Sequence, residues 1–182
     1  MIRAPVIAVV GPSGVGKDSV MHALAAHDDG FRLVQRVITR DAMAGGERFE
    51  AASEADFLQR DADGDFVLSW QAHDLHYGIL QTIEDLRVGA RALLVNLSRS
   101  VLLDAQARLA PFVVVSLTAD PGLLARRLAN RGREDATDQA RRLTRASAAL
   151  PDGLNTVITI DNSGPLDATV TAILARLQPE SV

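Results

Sequence analysis

The stretch VIAVVGPSGVGKDS, residues 6–19, decides the fold. Its first part, Val6–Val10, is a continuous apolar run, which predicts a strand buried on both faces of a parallel sheet. The spacing from Ser19 to Ala26 predicts a helix, and the segment between them fits G-x-x-x-x-G-K in the required strand–loop–helix context. Glycines let such a loop wrap around an anion with its N–H groups inward, and the helix dipole favours the same anion. We therefore predict a nucleotide-phosphate site made by Gly11, Pro12, Ser13, Gly14, Val15, Gly16, Lys17, Asp18 and Ser19.

Lys17 is the one lysine among 19 basic residues. A chain that uses arginine everywhere else has thus kept a compact point charge inside the glycine-rich loop. We expect this amine to reach the β and γ phosphates of ATP and to neutralise charge during transfer, which makes Lys17 a candidate catalytic residue.

Asp18 stands where such loops usually carry Ser or Thr, whose hydroxyl binds Mg²⁺. One reading makes its carboxylate a metal ligand, directly or through water, because hard cations prefer oxygen ligands. The other reading makes it only a favourable charge at the helix N-terminus. Because a carboxylate beside phosphates is repulsive without a cation, we favour Asp18 as the metal site, with ATP and Mg²⁺ as cofactors.

Strand-like and helical runs alternate along most of the chain. This alternation predicts a three-layer α/β/α fold around a mainly parallel five-stranded sheet. The further predicted strands are Leu33–Thr39, Ala92–Asn96, Phe112–Leu117 and Thr156–Ile160, and the further helices are Ser100–Leu109, Pro121–Arg131, Ala136–Leu150 and Leu166–Leu177. Residues 161–164 predict only a turn after the last strand.

Two segments interrupt a single domain of residues 1–182, whose core is predicted at 1–40 and 91–182. Residues 41–90 predict a small inserted lobe, in which Ser53 and Asp56 resemble a helix-capping pair. Residues 126–146 carry many arginines, which predicts a hinged lid that grips phosphates; the alternative is a solvated helix surface. The arginines favoured for function are Arg131, Arg133 and Arg142.

Composition narrows the class of protein. A chain of 182 residues with 47% hydrophobic residues can bury a core without covalent staples. The net charge of −4 argues against nucleic-acid and membrane partners, and the lack of cysteine excludes disulfides and thiolate zinc sites. Val6–Val10 is too short for a membrane span and lacks a signal-peptide layout. We expect a cytoplasmic protein and leave a homodimer open.

Four motifs together resemble the guanylate kinase family over nearly the whole chain: the glycine-rich loop, Val37–Arg40, Tyr77-Gly78 and residues 127–132. The resemblance implies a P-loop kinase whose lobe 41–90 binds the phosphoryl acceptor. It further implies that Arg40 and Tyr77 contact the acceptor's phosphate and that residues 161–164 flank the adenine of the nucleotide. Its lid arginines match Arg131 and Arg142, which this resemblance makes catalytic, and we place Arg131 and Arg133 on the nucleotide.

Three departures from that family concern the acceptor. The chain has Met43 where the family has a second phosphate-binding arginine, Leu68 where it has a guanine-reading glutamate, and Ile79 where it has a hydroxyl residue. Buried Leu and Ile would leave the hydrogen-bond donors of guanine unpaired, which is heavily penalised. The departures therefore argue against a guanine acceptor.

The same departures resemble another family of this superfamily, the ribose 1,5-bisphosphate phosphokinases of phosphonate breakdown. The matching segments are Gly16–Ser19, Trp70–His73 with Tyr77–Ile79, Val95–Arg99 and Arg131–Glu134. This resemblance implies phosphoryl transfer from ATP to ribose 1,5-bisphosphate, a small phosphorylated sugar, giving 5-phospho-ribose 1-diphosphate. An anionic acceptor needs positioning and charge neutralisation rather than a strong base. The candidate substrate-binding residues are Arg40, Gln71, His73, Tyr77, Asn96, Ser98 and Arg99.

Alternative functions remain open at this point. The first is a nucleoside monophosphate kinase, in particular a guanylate kinase. The second is a non-catalytic guanylate kinase-like binding module, and the third is a kinase for a hydroxyl acceptor such as a sugar acid. His73 has a plain alternative as a surface residue of the lobe, and Trp70 as a packing residue.

Overall fold

The computed structural model describes residues 3–43, 47–129 and 149–177. At its centre lies a five-stranded sheet in the order β2-β7-β1-β8-β9, in which all pairings are parallel. Its strands are β1 Val6–Val10, β2 Phe31–Leu33, β7 Ala92–Asn96, β8 Phe112–Thr118 and β9 Val157–Asp161. Because all five strands run the same way, their carboxyl ends meet at one edge, where open α/β sheets bind ligands.

Helices cover both faces of this sheet. The helices of the described residues are α1 Lys17–His27, α2 Glu54–Ala62, α3 Ile83–Arg87, α4 Leu102–Arg108, α5 Pro121–Ala129 and α6 Leu166–Leu177, with a 3₁₀ turn at Arg99–Val101; all but α2 pack on this sheet. Alternate residues of β1 enter two separate cores: Ile7 and Val9 pack with α1 and α6, whereas Val6, Ala8 and Val10 pack with α3 and α4. The predicted three-layer α/β/α fold and its five-stranded parallel sheet are thus confirmed.

A second, four-stranded sheet has the order β4-β3-β6-β5. Its strands are β3 Arg36–Ile38, β4 Phe49–Ala51, β5 Phe66–Ala72 and β6 Leu75–Leu80. Helix α2 packs on it through Phe57, whose ring stacks on Phe66 at 4.6 Å between centroids. The predicted cap of this helix is present, because the Asp56 backbone N–H donates to Ser53 Oγ at 3.1 Å.

The single strand predicted at Leu33–Thr39 was wrong. Phe31–Leu33 pairs with β7 in the large sheet, whereas Arg36–Ile38 pairs with β4 and β6 in the small sheet. The Val34 N–H still donates to the Leu94 carbonyl at 2.8 Å, so the chain leaves the large sheet at residue 35. An apolar run of this kind shows that a segment is buried, but it does not show which sheet it joins.

Elsewhere the predicted elements lie within a few residues of the observed ones, and β1, β7 and α6 have the predicted bounds. The predicted helix Ala136–Leu150 falls almost entirely outside the described residues. Within the described ranges, no helix combines the length and the apolar character needed to span a membrane.

Candidate active site

The glycine-rich loop joins the end of β1 to the start of α1. Gly16 has a φ of 99°, a left-handed conformation that favours glycine, and it caps the helix that begins at Lys17. A Cβ at Gly16 would lie 2.9 Å from Asn162 Nδ2, and one at Gly11 would lie 2.7 Å from the Leu117 carbonyl oxygen. These glycines are therefore required by close approaches as well as by backbone angle. The first N–H groups of a helix have no partner within the helix, so those of α1 can bind an anion at the loop.

Lys17 folds back over this loop. Its Nζ donates to the carbonyl oxygens of Gly11 at 3.0 Å and Pro12 at 3.3 Å. The pKa of Lys17 is lowered to about 8, chiefly by burial; the charges of Asp18 and Glu47 oppose the shift, and those of Arg36 and Arg99 add to it. A phosphate ligand would hold the amine more firmly in its charged form.

Asp18 carries an unsatisfied buried oxygen. Its Oδ1 is shielded from solvent and has no hydrogen-bond partner among the described residues. A buried carboxylate oxygen needs a donor or a cation, so this atom fits the metal that the sequence predicted. Within the described ranges, no three His, Asp or Glu side chains form a metal cluster, so a bound Mg²⁺ would also need oxygen ligands from the nucleotide or water.

A hydrogen-bond network around the buried Asn162 supports the glycine-rich loop. Asn162 is 4% exposed; its Nδ2 donates to the Val15 carbonyl at 2.7 Å, and its Oδ1 accepts from Thr169 Oγ1 at 2.6 Å. Arg127 Nη1 also donates to the Val15 carbonyl, at 3.2 Å, and its Nη2 donates to the Asn162 carbonyl at 3.4 Å. Sequence reasoning gave residues 161–164 only a turn and missed Asn162, although an Asn directly after a core strand at the ligand-binding edge was a usable signal.

Beside this network lies a cavity of about 410 Å³. It is lined by Gly14, Gly16, Ser19, Arg127, Asn162, Gly164 and Leu166. The cavity therefore adjoins the outer side of the glycine-rich loop, where the base and ribose of a nucleotide held by the loop would extend.

The carboxyl end of β7 contributes three of the predicted substrate residues. Asn96 is half-buried and pairs in register with Val9, so it lies next to the start of the loop. Ser98 Oγ accepts a hydrogen bond from Trp70 Nε1 at 2.9 Å, which ties the small sheet to this edge. Arg99 follows at the start of the 3₁₀ turn, where burial lowers the pKa of its guanidinium.

Tyr77 connects this edge to the arginines of the small sheet. Its ring stacks on Trp70 at 5.2 Å, and the Arg36 guanidinium lies 5.1 Å from its centroid. Burial raises the pKa of Tyr77, and the charges of Arg36 and Arg40 partly oppose this shift. Sequence reasoning had chosen Arg40 and Tyr77 but missed Arg36, although a charged residue inside an apolar strand-like run is unusual.

A second cavity, of about 450 Å³, opens on the small sheet. Its lining combines cationic, acidic and neutral polar groups: Thr39, Arg40, Asp41, Ala42, Ala51, Ala52, Ser53, Glu54, Gln71, Asp74 and His76. The predicted Arg40 and Gln71 thus share one cavity. His76, which was not among the candidates, joins them, and its Nε2 lies 3.6 Å from Glu54 Oε1.

His73 has a different setting from the other candidates. With Asp74 it forms the two-residue turn between β5 and β6, and both residues have positive φ angles, 52° and 59°. Two such residues in succession form a type I′ hairpin turn. His73 is exposed at this turn and does not line the 450 Å³ cavity.

The three positions where the sequence departs from guanylate kinases differ in their burial. Leu68 and Ile79 are 3% and 0% exposed and pair with each other across β5 and β6 inside an apolar core. Met43 is 90% exposed. The lid candidates Arg131, Arg133 and Arg142 lie outside the described residues, so they stay predictions.

The chain is similar in sequence and in fold to known proteins. A family model described as an AAA domain matches residues 7–148. A guanylate kinase from Anaplasma phagocytophilum has the same fold, with a TM-score of 0.67 over 98% of this chain and 88% of that protein, at 16% identity.

Two curated relatives are much closer in sequence, and both are named ribose 1,5-bisphosphate phosphokinase PhnN. The relative from Ruegeria sp. is 54% identical over 98% of this chain and 94% of its own length. The relative from Brucella melitensis is 42% identical over 97% of this chain and 93% of its own length. Both matches span nearly the whole chain, including the glycine-rich loop, both sheets and the residues that line the cavities. The chain therefore belongs to the ribose 1,5-bisphosphate phosphokinase PhnN family.

Proposed function

We propose that this protein transfers the γ-phosphoryl group of ATP to the 1-phosphate of ribose 1,5-bisphosphate, giving 5-phospho-ribose 1-diphosphate and ADP in phosphonate catabolism. The printed names of its relatives support this acceptor. The observation that carries the proposal is Lys17, folded over the phosphate loop, near the edge where the Trp70–Ser98 hydrogen bond joins the small sheet to the end of β7. The charges of Arg36 and Arg99 act on the same amine, and such a grouping of cations suits a place where the phosphates of two substrates approach each other.

The reaction needs little acid–base chemistry from the protein. An oxygen of the acceptor's 1-phosphate attacks the γ-phosphorus, and the bond from that phosphorus to the β–γ bridging oxygen breaks, so ADP leaves with the electron pair. The acceptor oxygen is already anionic at neutral pH, so no proton has to be removed from it. The residues therefore act by positioning the two substrates and cancelling their charge, as in other phosphoryl transfers.

The two cavities suit the two substrates. The 410 Å³ cavity adjoins the outer side of the loop and would take the base and ribose of ATP. The 450 Å³ cavity would take the sugar of the acceptor, where Arg40 would bind a phosphate and Gln71 and Glu54 would bind hydroxyl groups. The lid arginines Arg131, Arg133 and Arg142 would complete the donor side, as the sequence predicts.

Mg²⁺ would be held by Asp18 together with the phosphate oxygens of ATP. When bound, it neutralises charge on the β and γ phosphates. The buried Oδ1 of Asp18 supports this assignment because the atom has no other partner among the described residues.

A guanine acceptor is disfavoured by the side chains at the departures. Leu68 and Ile79 face an apolar core, where they offer no hydrogen-bond acceptor to a base.

We propose further that the enzyme works in the cytoplasm without nucleic-acid or membrane partners. Light scattering of the purified chain tests the homodimer that composition leaves open.

Acceptor competition tests the proposed function. The purified protein is given ATP and Mg²⁺ with ribose 1,5-bisphosphate, GMP or gluconate in turn, and ADP release is followed by a coupled assay. We expect turnover with ribose 1,5-bisphosphate and formation of 5-phospho-ribose 1-diphosphate, identified by mass. Preferred turnover of GMP or gluconate, or no ATP binding in calorimetry, would refute the proposal in favour of one of the alternatives.

A further inference from the structure

Arg36 is a buried arginine with an incomplete set of partners. It is 6% exposed, although it begins a strand whose other residues, Val37 and Ile38, are apolar core. Its Nη2 is paired with Glu47 Oε1, and its Nε has no hydrogen-bond partner among the described residues. A buried guanidinium with an unsatisfied N–H is costly, so the site favours an additional acceptor.

The neighbours of Arg36 indicate where this additional hydrogen-bond acceptor would lie. Its guanidinium lies 5.1 Å from the centre of the Tyr77 ring, and its charge lowers the pKa of both Tyr77 and Lys17. Lys17 belongs to the phosphate loop and Tyr77 to the small sheet. Arg36 therefore contacts the small sheet and acts through its charge on the phosphate loop, so an acceptor phosphate bound to it would approach the loop.

The local charges are unbalanced without substrates. Lys17, Arg36 and Arg99 interact through their charges, and two carboxylates, Asp18 and Glu47, are the acidic groups that act on the same amine. The excess of positive charge in a partly desolvated space is unfavourable, and a phosphate ligand removes the repulsion.

Arg87, another buried arginine of the described residues, provides a contrast. Its Nη2 donates to the Leu109 carbonyl at 2.8 Å, its Nη1 donates to the Ala4 carbonyl, and its Nε lies 3.1 Å from Glu84 Oε1 without a hydrogen bond. Both terminal nitrogens of Arg87 thus bind backbone carbonyls of the chain itself, as expected for a structural arginine. Arg36 has one terminal nitrogen paired with a carboxylate, and its charge acts on Lys17 of the phosphate loop.

We propose that Arg36 binds the reacting phosphate of the acceptor, with Glu47 as the positioning residue that holds the guanidinium between Tyr77 and Lys17. This inference rests on the proposed function for the identity of the acceptor. In this arrangement Arg36 takes the phosphate that attacks ATP, whereas Arg40 lies on the cavity that receives the rest of the acceptor. The planar fork of arginine suits this role because it can hold one carboxylate and one phosphate together.

The test separates acceptor binding from folding and from donor binding. Arg36→Met and Arg36→Lys are compared with the wild type by steady-state kinetics, varying ribose 1,5-bisphosphate and ATP separately. Losing a hydrogen bond between two charged groups should raise the KM for ribose 1,5-bisphosphate roughly 10- to 100-fold in Arg36→Met, with the KM for ATP changed less than about 3-fold. Arg36→Lys should recover part of the loss because it keeps the charge without the fork.

The matched control is Arg60→Met on helix α2, which packs on the small sheet. Like Arg36, Arg60 is paired with carboxylates, here Glu50 at 2.6 Å and Asp65 at 3.2 Å, and lies over an aromatic ring, that of Phe66, but it does not line either cavity. We expect both kinetic constants of this variant to be unchanged. An unchanged KM for ribose 1,5-bisphosphate in folded Arg36→Met would overturn the inference.

A double variant covers the case in which Arg36→Met does not fold. Replacing both members of a buried ion pair by apolar residues is often neutral for stability, so Arg36→Met with Glu47→Met should fold. A purely structural pair predicts normal kinetics for this double variant, whereas our proposal predicts the same raised acceptor KM. Normal kinetics in the double variant would therefore also overturn the inference.

Failure of the proposed function is a separate result. If the wild type does not use ribose 1,5-bisphosphate, the proposed function fails, and the same variants are compared with the phosphorylated acceptor that the wild type does use. A raised KM for that acceptor would still support phosphate binding by Arg36, and an unchanged KM would overturn it.

Discussion

Lys17 illustrates how a single residue is conditioned by its surroundings. Its amine is buried against two carbonyl oxygens of its own loop and lies near other cations, which lowers its pKa to about 8. In the unfolded chain, a lysine keeps its proton to a pH of about 10.4. The free protein therefore binds its proton more weakly at this position than the unfolded chain does.

The first prediction concerns pH. Since the protonated amine is the form that attracts phosphates, kcat/KM for ATP should fall as the pH rises through about 8. For stability the sign is opposite: between pH 8 and about 10.4 the unfolded chain holds a proton that folded Lys17 has released, so the free energy of unfolding should rise with pH. Urea unfolding of the wild type and of Lys17→Met across this range measures the difference.

Few other groups titrate between pH 8 and about 10.4, so a difference in slope between the wild type and Lys17→Met can be assigned to Lys17. The sequence has no cysteine, no second lysine and one tyrosine, Tyr77, whose pKa is raised above its usual value of 10. A wild-type slope no greater than that of Lys17→Met would contradict the shifted pKa.

The second prediction concerns Asp18. If its buried Oδ1 is a ligand of Mg²⁺, Asp18→Ser and Asp18→Asn should raise the Mg²⁺ concentration for half-maximal activity roughly 10- to 100-fold. Titration of activity with Mg²⁺ at saturating ATP measures this. Asp28→Asn, a change in an exposed ion pair with Arg91, serves as the control. An unchanged Mg²⁺ dependence in both Asp18 variants would leave Asp18 with only a helix-dipole role.

The site residues that sequence reasoning found differ in kind from those it missed. Lys17 belongs to a local motif, so its spacing alone identifies it. Asn162 contacts residues far away in the chain, and the role proposed for Arg36 and Glu47 depends on their place beside Tyr77; no short pattern records such contacts. Arg36 gave one signal, a charge inside an apolar run, but that signal does not say which partner the charge meets.

At the scale of elements, the phosphate loop depends on β9 and α6 for its shape. The Asn162 side chain bridges the Val15 carbonyl and Thr169 of α6. The loop is thus fastened to elements near the end of the chain, and its backbone geometry is set before any ligand arrives.

The third prediction tests this bridge. Asn162→Ala removes both hydrogen bonds and leaves buried polar groups without partners, which should lower the free energy of unfolding by about 1–3 kcal/mol. The KM for ATP should rise while the KM for the acceptor stays constant, because the distortion is on the donor side. Denaturant titration and steady-state kinetics measure both effects.

Thr169→Val is the milder companion of that change. It removes one hydrogen bond at nearly constant volume, so about 1 kcal/mol of stability should be lost with a smaller effect on ATP. Equal acceptor and donor defects in Asn162→Ala would show that Asn162 supports the whole fold rather than the loop.

Element boundaries were predictable where one pattern has one structural meaning. The run Val6–Val10 and the helix after Pro165 were located because burial on both faces and helical spacing are local properties. The chain's exit from the large sheet near residue 35 was not, because the same apolar residues suit either sheet. The turn His73-Asp74 was also not predicted from the sequence, because it lacks the Asn-Gly or Asp-Gly pair that such turns usually contain.

At the scale of the whole molecule, a few contacts join distant parts. Leu68 and Ile79 of the small sheet belong to the same apolar core as Val10 and Leu93 of the large one. The hydrogen bond from Trp70 to Ser98 adds a polar link at the edge of that core. The acceptor cavity is thus built on a sheet that is packed firmly onto the nucleotide-binding core.

The fourth prediction concerns Arg87, which joins α3 to the start of β1 and the end of α4. Arg87→Met leaves the Ala4 and Leu109 carbonyls without their buried donor and should cost about 3 kcal/mol of the free energy of unfolding. Because Arg87 lines neither cavity, both KM values should stay unchanged in the folded variant. Thermal denaturation with parallel kinetics measures this, and a selective rise in one KM would contradict the structural role.

The position of Lys17 also gives this chain an unusual chemical simplicity. Apart from the α-amino group, it holds the only amine in the sequence, and a pKa of about 8 makes that amine nucleophilic under mild conditions. An acyl-phosphate derivative of ATP should therefore acylate one side chain, and unlabelled ATP should protect it. The mass of the intact chain then counts occupied donor sites directly, without a mutation, a tag or knowledge of the acceptor.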